Sequence, residues 1–507
     1  MKELEGDTLL RAPSNVDFPI IERQPSSYKP LYTYLLDKEK KQYQQQYGDM
    51  YFLRLAKLKP AVERIASNAW DEETIAGETV KKVERVLDVR QGDLCWITGT
   101  IYMDMPLKPN ILDEIAKDHW QAAPPPRPKY LSSEGENLTM LEDESGRLRL
   151  IGARLINEIL VTGCIVAVMG TENANGDFEV VDIKVPDLPP QAKRWQTIAN
   201  LEQSRNAAQL LQGDDDEDMD KPITSGNKIA IVSGLEFSGS NADHYLETQL
   251  LVEYLLGEAL SSAAQESVAQ ISRLIIAGNS IARDDEVFCH DTIGNNRKAH
   301  KKYGYDSSAY NPTPTSHLDN FLSCLLPSIP VTLIPGATDP ANVSLPQQPL
   351  HPALFPHSKC YGPSAQNFQT TAEPGWLDSV TNPWNGEIEG WNFFVTGGQN
   401  VDDIFKYLVI GDRLEILEAL CRWRCCAPTA PDTLSSYPFQ DDDPFVLESC
   451  PHVFIVGSQP KFETTLIEGP EGQSVRLIAV PKFSETGEIV LVDTETLETS
   501  VIKILIP

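Results

Sequence analysis

The spacing of apolar positions changes three times along the chain. Residues 1–30 hold Pro13, Pro19, Pro25 and Pro30 with no periodic apolar set, which predicts an extended arm. Residues 31–80 are expected to be helical, on Tyr32, Tyr34, Leu35 and Leu36 and then Tyr51, Phe52, Leu55 and Leu58. Tyr51, Leu55 and Leu58 have the i, i+4, i+7 spacing of a buried stripe, and Pro60 is placed near the end of that helix.

From Val86 to Val185 the period becomes two. Leu94–Tyr102 is β-branched and aromatic, Leu138–Leu141 and Leu148–Leu150 flank the turn Asp143-Glu144-Ser145-Gly146, and Ile159–Met169 and Phe178–Val185 flank Asn173–Gly176. Five short strands in about 100 residues have the scale of an OB-fold barrel, assigned to 81–190 and interrupted by the Pro-rich loop Ala122–Pro128. Residues 191–227 form a linker holding the acidic loop Asp214–Asp220, a solvated insertion.

From 228 to 507 the strands lose their alternation. Ile229–Val232, Leu274–Ala277 and Val331–Ile334 are continuous apolar runs separated by helices at Ala242–Leu256 and Leu318–Leu326, and β text returns from Val453 to Ile506. Such runs are buried on both faces, as in a layered α/β domain.

The chain has 507 residues with 43 basic and 73 acidic side chains, a formal charge of −30. The acidic loop carries six carboxylates, so the rest is still at −24. A surface this negative repels phosphate and argues against an autonomous nucleic-acid clamp. No apolar run approaches a membrane span, and Met1–Glu5 does not begin a signal peptide. Nine scattered cysteines, with Cys421, Cys425 and Cys426 clustered but lacking a second pair at zinc-finger spacing, are expected to be reduced structural thiols.

In open α/β sheets chemistry sits past the carboxyl ends of the strands. Those positions carry Ser233-Gly234-Leu235-Glu236, Gly278-Asn279-Ser280, Pro335-Gly336-Ala337-Thr338-Asp339 and Gly457-Ser458-Gln459-Pro460. This skeleton resembles the calcineurin-like phosphoesterase superfamily, whose strand ends hold Asp-x-His, Gly-Asp, Gly-Asn-His-Asp/Glu and Gly-His-x-His around two divalent metals. Carried over position by position, the ligands fall on Ser233, Leu235, Asn279, Ala337, Thr338, Asp339, Ser458 and Pro460. One carboxylate in that set cannot hold two metals, so the resemblance implies an inactive, metal-free and cofactor-free phosphoesterase fold.

A barrel followed by such a domain is similar to the B subunits of eukaryotic replicative DNA polymerases. The blocks Tyr47–Leu55, Gly336–Pro340, Thr396–Ile404 and Pro451–Phe462 resemble the delta-type members over roughly Pro30 to Ile506. The resemblance implies an α/β plus all-β protein, an OB-fold β-barrel joined to a calcineurin-like phosphoesterase layered sandwich with a short helical N-terminal region. It also implies a nuclear accessory subunit that scaffolds the metal-binding C-terminal domain of the polymerase delta catalytic subunit. A third, clamp-interacting subunit is a further implied partner, the polymerase zeta catalytic subunit another, with DNA engaged only through the complex and no membrane. The alternatives are an active metallophosphoesterase or nuclease with displaced ligands, or a B subunit of polymerase alpha or epsilon.

Other residues have structural expectations. Gly336 and Gly457 are read as tight-turn glycines, Asp339 as a turn residue before Pro340, and Asn400 with Asp403 as a helix N-cap pair. His452 is expected to be a packed core histidine, and Trp384, Trp391 and Trp423 core or interface anchors. Arg297–Lys302 is a solvated basic loop, with DNA contact or nuclear import as its alternative use. Trp96 and Tyr102 are expected to be exposed on the barrel without a local basic groove, for protein contact rather than base stacking.

Overall fold

The computed structural model describes residues 2–5, 21–37, 41–42, 44–75, 77–109, 127–132, 137–194, 227–239, 244–258, 261–282, 311–363, 374–409 and 411–505. The acidic loop Asp214–Asp220, the basic stretch Arg297–Lys302, Cys289 and most of the Pro-rich loop Ala122–Pro128 lie outside the described residues.

The N-terminal arm is partly woven into two of the sheets. Strand β1 (Lys2–Glu5) pairs in parallel with Ile502–Leu505, and β2 (Tyr28–Leu31) pairs antiparallel with Asn385–Ile388. The expected helical segment begins later than its spacing suggested: Tyr32–Leu36 is not helical, Tyr34 inserts into the main core, and the helix α1 runs from Gly48 to Trp70. Pro60 sits inside this helix and does not end it. The apolar stripe continues past it through Val62, Ala66 and Trp70, all buried against the barrel, and that burial outweighs the roughly 3 kcal/mol a helical proline costs.

Past the two-residue strands β3 (Thr74–Ile75) and β4 (Glu78–Thr79), the barrel follows with β5 (Lys81–Lys82), β6 (Leu94–Asp104), β7 (Leu138–Glu142), β8 (Arg147–Ile151), β9 (Ile165–Glu172) and β10 (Phe178–Lys184). The order β6-β7-β8-β10-β9 closes because β9 also pairs with β6, and β8 meets β10 in parallel. That closed five-strand path is the connectivity of an OB barrel. Strand β9 starts at Ile165, later than the expected Ile159, because Gly163 turns the chain with φ +92° and donates its N–H to the Ile101 carbonyl. Helix α2 (Arg154–Asn157) lies against β10.

The rest is two sheets packed face to face. The first contains β11 (Lys228–Val232), β12 (Ile271–Ala277), β13 (Val331–Ile334) and β14 (Leu377–Ser379), continued on the other side of β11 by β20 (Glu488–Asp493), β21 (Thr499–Leu505) and β1. Its outer face is covered by α3 (Tyr245–Leu256), α4 (Ser262–Ala269) and α5 (Thr313–Leu325). The second sheet has the order β18-β19-β17-β16-β15-β2, from β15 (Trp384–Ile388), β16 (Trp391–Thr396), β17 (Val453–Gln459), β18 (Glu463–Glu468) and β19 (Ser474–Pro481). Helices α6 (Gln399–Tyr407) and α7 (Arg413–Arg422) cover it, and α8 (Phe483–Thr486) follows β19.

The missing alternation in the apolar runs follows directly from this layering. In β11, Ile229 and Ile231 face the inter-sheet core while Ala230 and Val232 face the helices; in β17, Val453 and Ile455 face inward while Phe454 and Val456 face α6 and α7. The core outside the second sheet is continuous with the barrel interior, since Phe394, Phe454 and Leu417 belong to the same cluster as Ile97, Leu141 and Val168. Barrel and sandwich therefore share one apolar core.

Candidate functional site

The carboxyl ends of β11, β12, β13 and β17 converge, and four of the eight sequence-predicted positions meet there. Ser233 Oγ donates to the Ala277 carbonyl at 2.6 Å and accepts the Ser458 N–H at 2.8 Å. Asn279 Nδ2 donates to Ser458 Oγ at 2.8 Å, and Asn279 Oδ1 faces the N–H and hydroxyl of Thr338, both at 3.2 Å. Asn279 and Ser458 hold φ of +53° and +57°, left-handed conformations that cost a non-glycine residue roughly 1–3 kcal/mol each. The cluster is neutral and mutually satisfied.

Asp339 lies beside it, buried. Its two carboxylate oxygens accept the Ile281 N–H at 2.9 Å and the Gly336 N–H at 2.7 Å, tying the loop after β12 to the loop after β13. Burial pushes its pKa up to about 6, against the opposing pull of those backbone donors. It is thus a clasp between two loops rather than a simple turn residue. The other three positions do not join: Leu235 is packed in the core under the helices, and Ala337 and Pro460 are exposed.

Gly336 and Gly457 matter for space, not for conformational freedom, because neither has a positive φ. A Cβ on Gly336 would fall 2.2 Å from Asn279 N, and one on Gly457 would fall 1.9 Å from the Ala277 carbonyl oxygen. The loops after β12, β13 and β17 are held at backbone contact by these glycines.

An amide cluster that sequence reasoning missed flanks this site. Asn382 Nδ2 donates to Gln347 Oε1 and Gln399 Oε1, both at 2.9 Å, and Gln399 Nε2 donates to Gln347 Oε1 at 2.8 Å. Asn382 Oδ1 accepts the Gly397 N–H at 3.0 Å, and Gln347 Nε2 donates to the Gly336 carbonyl at 3.0 Å. Its only signals in the sequence are Asn382 ahead of Pro383 and the Gly397-Gly398-Gln399 turn.

Asn400 and Asp403 are not a cap pair. Gly398 occupies the N-cap of α6 with φ +105°, placing Asn400 and Asp403 inside the helix on its buried face. Asn400 Nδ2 donates to the Cys426 carbonyl at 2.7 Å, and Asp403 accepts from the Tyr130 hydroxyl at 2.9 Å and from Thr433 Oγ1 at 2.6 Å. His452 is a packed core residue: Nδ1 accepts the Asn392 N–H at 3.0 Å and Nε2 lies 2.9 Å from the Ala192 carbonyl. Trp384 and Trp423 are buried and Trp391 is half-buried.

The barrel aromatics differ from expectation. Trp96 is buried against Trp70, and its Nε1 donates to Asp71 at 3.1 Å, because β6 turns it under α1. Tyr102 is half-buried, with the Arg147 guanidinium 4.4 Å and the Lys108 ammonium 4.7 Å from its ring. Basic groups do stand beside it, and both are already paired, Arg147 with Glu142 at 3.0 Å and Lys108 with Asp432. Cys421, Cys425 and Cys426 are free buried thiols whose pKa values burial pushes up, Cys425 to about 11. Among the described residues no group of three or more His, Cys, Asp or Glu side chains is placed to hold a metal ion. No helix among them is long and apolar enough to cross a membrane.

A family model for the DNA polymerase delta subunit OB-fold domain matches residues 46–183, and one for the B subunit of DNA polymerase alpha/epsilon matches residues 229–464. The chain is 37% identical to the DNA polymerase delta small subunit of Arabidopsis thaliana, covering 94% of this chain and 96% of that protein. It is 34% identical to the DNA polymerase delta small subunit of Saccharomyces cerevisiae, covering 92% and 91% of the two chains. The chain belongs to the family of DNA polymerase delta small subunits. The DNA polymerase delta subunit 2 of Drosophila melanogaster is a further relative, 32% identical over 90% of this chain and 92% of that protein. In this member of the delta small-subunit family, the OB match takes in α1 and the barrel strands, and the second match takes in both strand-end clusters.

A buried ion pair joins the two matched regions. Arg54 of α1 donates from Nε to Asp443 at 2.7 Å and from Nη1 to the Pro428 and Ala430 carbonyls at 2.7 and 3.0 Å. Burial opposes the guanidinium charge, but the Asp443 carboxylate overcomes it and holds the Arg54 pKa above its ordinary value.

Proposed function

We propose that this chain is the non-catalytic accessory (B) subunit of DNA polymerase delta, an OB barrel fused to a calcineurin-like phosphoesterase sandwich that has lost its metal site. One observation carries the loss: where that superfamily places acidic and imidazole ligands, Ser233, Asn279, Thr338 and Ser458 hydrogen-bond to one another, and Leu235, Ala337 and Pro460 offer no side-chain donor atom. Neutral amides and hydroxyls that satisfy each other have little affinity for divalent cations in competition with water. The one remaining carboxylate, Asp339, has both oxygens turned to backbone N–H groups.

A fold kept without its chemistry serves through its surfaces. The subunit scaffolds the metal-binding C-terminal domain of the catalytic subunit and bridges to a further, clamp-interacting accessory subunit, in the nucleus. The same surfaces serve the polymerase zeta catalytic subunit, and DNA is reached only through the complex, in keeping with the charge of −30.

The test has two arms. The purified chain, incubated with Mn²⁺ or Zn²⁺ and desalted, is expected to retain less than one equivalent of metal and to leave bis-(p-nitrophenyl) phosphate intact; two retained equivalents with hydrolysis overturn the inactive reading. Co-expression with the delta catalytic subunit is expected to yield a stable complex that is lost on deleting that subunit's C-terminal domain. Failure to co-purify overturns the scaffold.

A further inference from the structure

The two sheets present four edges, and three of them are guarded against strand addition. Edge β1 carries Lys2, Glu3 and Glu5 among its four residues. Edge β2 contains Pro30 beside Lys29, and β14 is three residues long with Ser379 Oγ bonded to the Leu350 carbonyl. Charge, proline and shortness are the usual protections of an exposed edge. The fourth edge, β18, has neither proline nor shortness, and its charge is confined to the two ends, Glu463 and Glu468, with four uncharged residues between. It runs six residues, Glu463-Thr464-Thr465-Leu466-Ile467-Glu468, in unbroken antiparallel register with β19 from Glu463↔Ala479 to Glu468↔Ser474. It has no proline and no bulge, and its centre has high β propensity.

Its outer side is open. Among the described residues no strand pairs with β18 other than β19, so the outward N–H and C=O groups along the strand are left to solvent. A side chain reaches this edge at its end, where Arg422 Nη2 donates to the Glu468 carbonyl at 3.3 Å. Leu466 is 46% exposed in the middle of the edge. A six-residue edge with an uncharged centre and an exposed leucine is an aggregation hazard for a free chain, and it is tolerable where another polypeptide covers it.

We infer that β18 is a strand-addition surface, and that its occupant is an extended segment of a partner protein in the polymerase complex. This rests on the accessory-subunit reading and adds the surface and the mode of contact. Charge selects the occupant. A second copy would set two chains of formal charge −30 edge to edge. Glu468 is exposed and, among the described residues, makes no ion pair, so the matching segment is apolar opposite Leu466 and basic opposite Glu468. Main-chain hydrogen bonds supply the affinity, and the side chains at alternate positions supply the selection.

Hydrogen exchange followed by mass spectrometry tests this on the full chain, alone and in the complex co-expressed with the delta catalytic subunit and the further accessory subunit. Amides across Glu463–Glu468 are expected to exchange at least about tenfold more slowly in the complex, whereas raising the concentration of the free chain leaves them unchanged. Leu466→Lys, on an exposed position, is expected to keep the melting temperature of the free chain and to weaken assembly at least about tenfold. A complex that forms with β18 exchanging as in the free chain overturns the inference and leaves the accessory-subunit reading standing. Protection that grows with the concentration of the free chain makes a second copy the occupant, and also overturns it. If no complex forms, both fall together.

Discussion

Replacing Arg54 with methionine removes the charge that joins α1 to the sandwich while keeping an unbranched apolar stem in its place. Its side chain is 5% exposed and that of Asp443 is 0% exposed, so water cannot take over the lost contacts. In Arg54→Met, Asp443 keeps a single described donor, the Phe445 N–H at 3.0 Å, and the Pro428 and Ala430 carbonyls lose theirs. Breaking a buried pair on one side typically costs about 3–5 kcal/mol, more than the about 1 kcal/mol of an exposed pair, because the partner charge is left uncompensated. The same reasoning assigns most of that penalty to the orphaned carboxylate. Urea denaturation of Arg54→Met, Asp443→Leu and the double variant, read by tryptophan fluorescence and circular dichroism, separates the terms. The expected outcome is about 3–5 kcal/mol for Arg54→Met, with the double variant costing at least about 2 kcal/mol less than the sum of the singles. A loss below about 1 kcal/mol for Arg54→Met, or additive singles, would refute the account.

Three further outcomes follow from the strand-end site and the arm. Ionised Asp339 is penalised in the folded chain because its pKa stands at about 6 against an ordinary 3.8, so its contribution to stability is largest at low pH and is lost as pH rises through 6. Between pH 7 and pH 5 the wild type is expected to gain about 1 kcal/mol relative to Asp339→Asn in urea titrations, and a constant gap between the two would count against the buried carboxylate. Gly457→Ala places a Cβ 1.9 Å from a backbone carbonyl oxygen of the facing sheet, and is expected to lower stability by at least about 3 kcal/mol or to abolish soluble expression; wild-type melting would contradict the close approach. The buried Tyr28 hydroxyl donates to Asp378 while the Arg273 guanidinium lies 3.5 Å from the Tyr28 ring centroid, so Tyr28→Phe leaves Asp378 short of a donor and is expected to cost about 1–3 kcal/mol by thermal or urea melting.

The layers were legible because burial writes a period into the sequence. Strands β8 and β10 alternate, whereas β6 and β9, like Ile229–Val232 and Val453–Val456, do not, because each of those runs meets a core on both faces. Local signals failed where a distant partner decides. Pro60 argued for a helix end, yet the burial of Val62, Ala66 and Trp70 on the barrel carries α1 past it. Trp96 has the spacing of a surface aromatic, but α1 covers it. Asn400 and Asp403 have cap spacing, but Gly398 takes the cap and turns both side chains toward Cys426, Tyr130 and Thr433.

The strand ends show the same division in one place. Which residue types stand there could be read directly, and their chemistry already argued against holding two metals. What holds these strand ends together could not, since Asn279 is 179 positions from Ser458 and Gln347 is 52 from Gln399. Gly336 and Gly457 let the loops close to backbone contact, and the amides and hydroxyls of the two clusters bond across them. The left-handed Asn279 and Ser458 keep a strained backbone geometry at these strand ends. Their mutual hydrogen bond offsets that strain, which makes the cluster a fastener for the ends of both sheets and, through α6 beside it, for the shared core with the barrel.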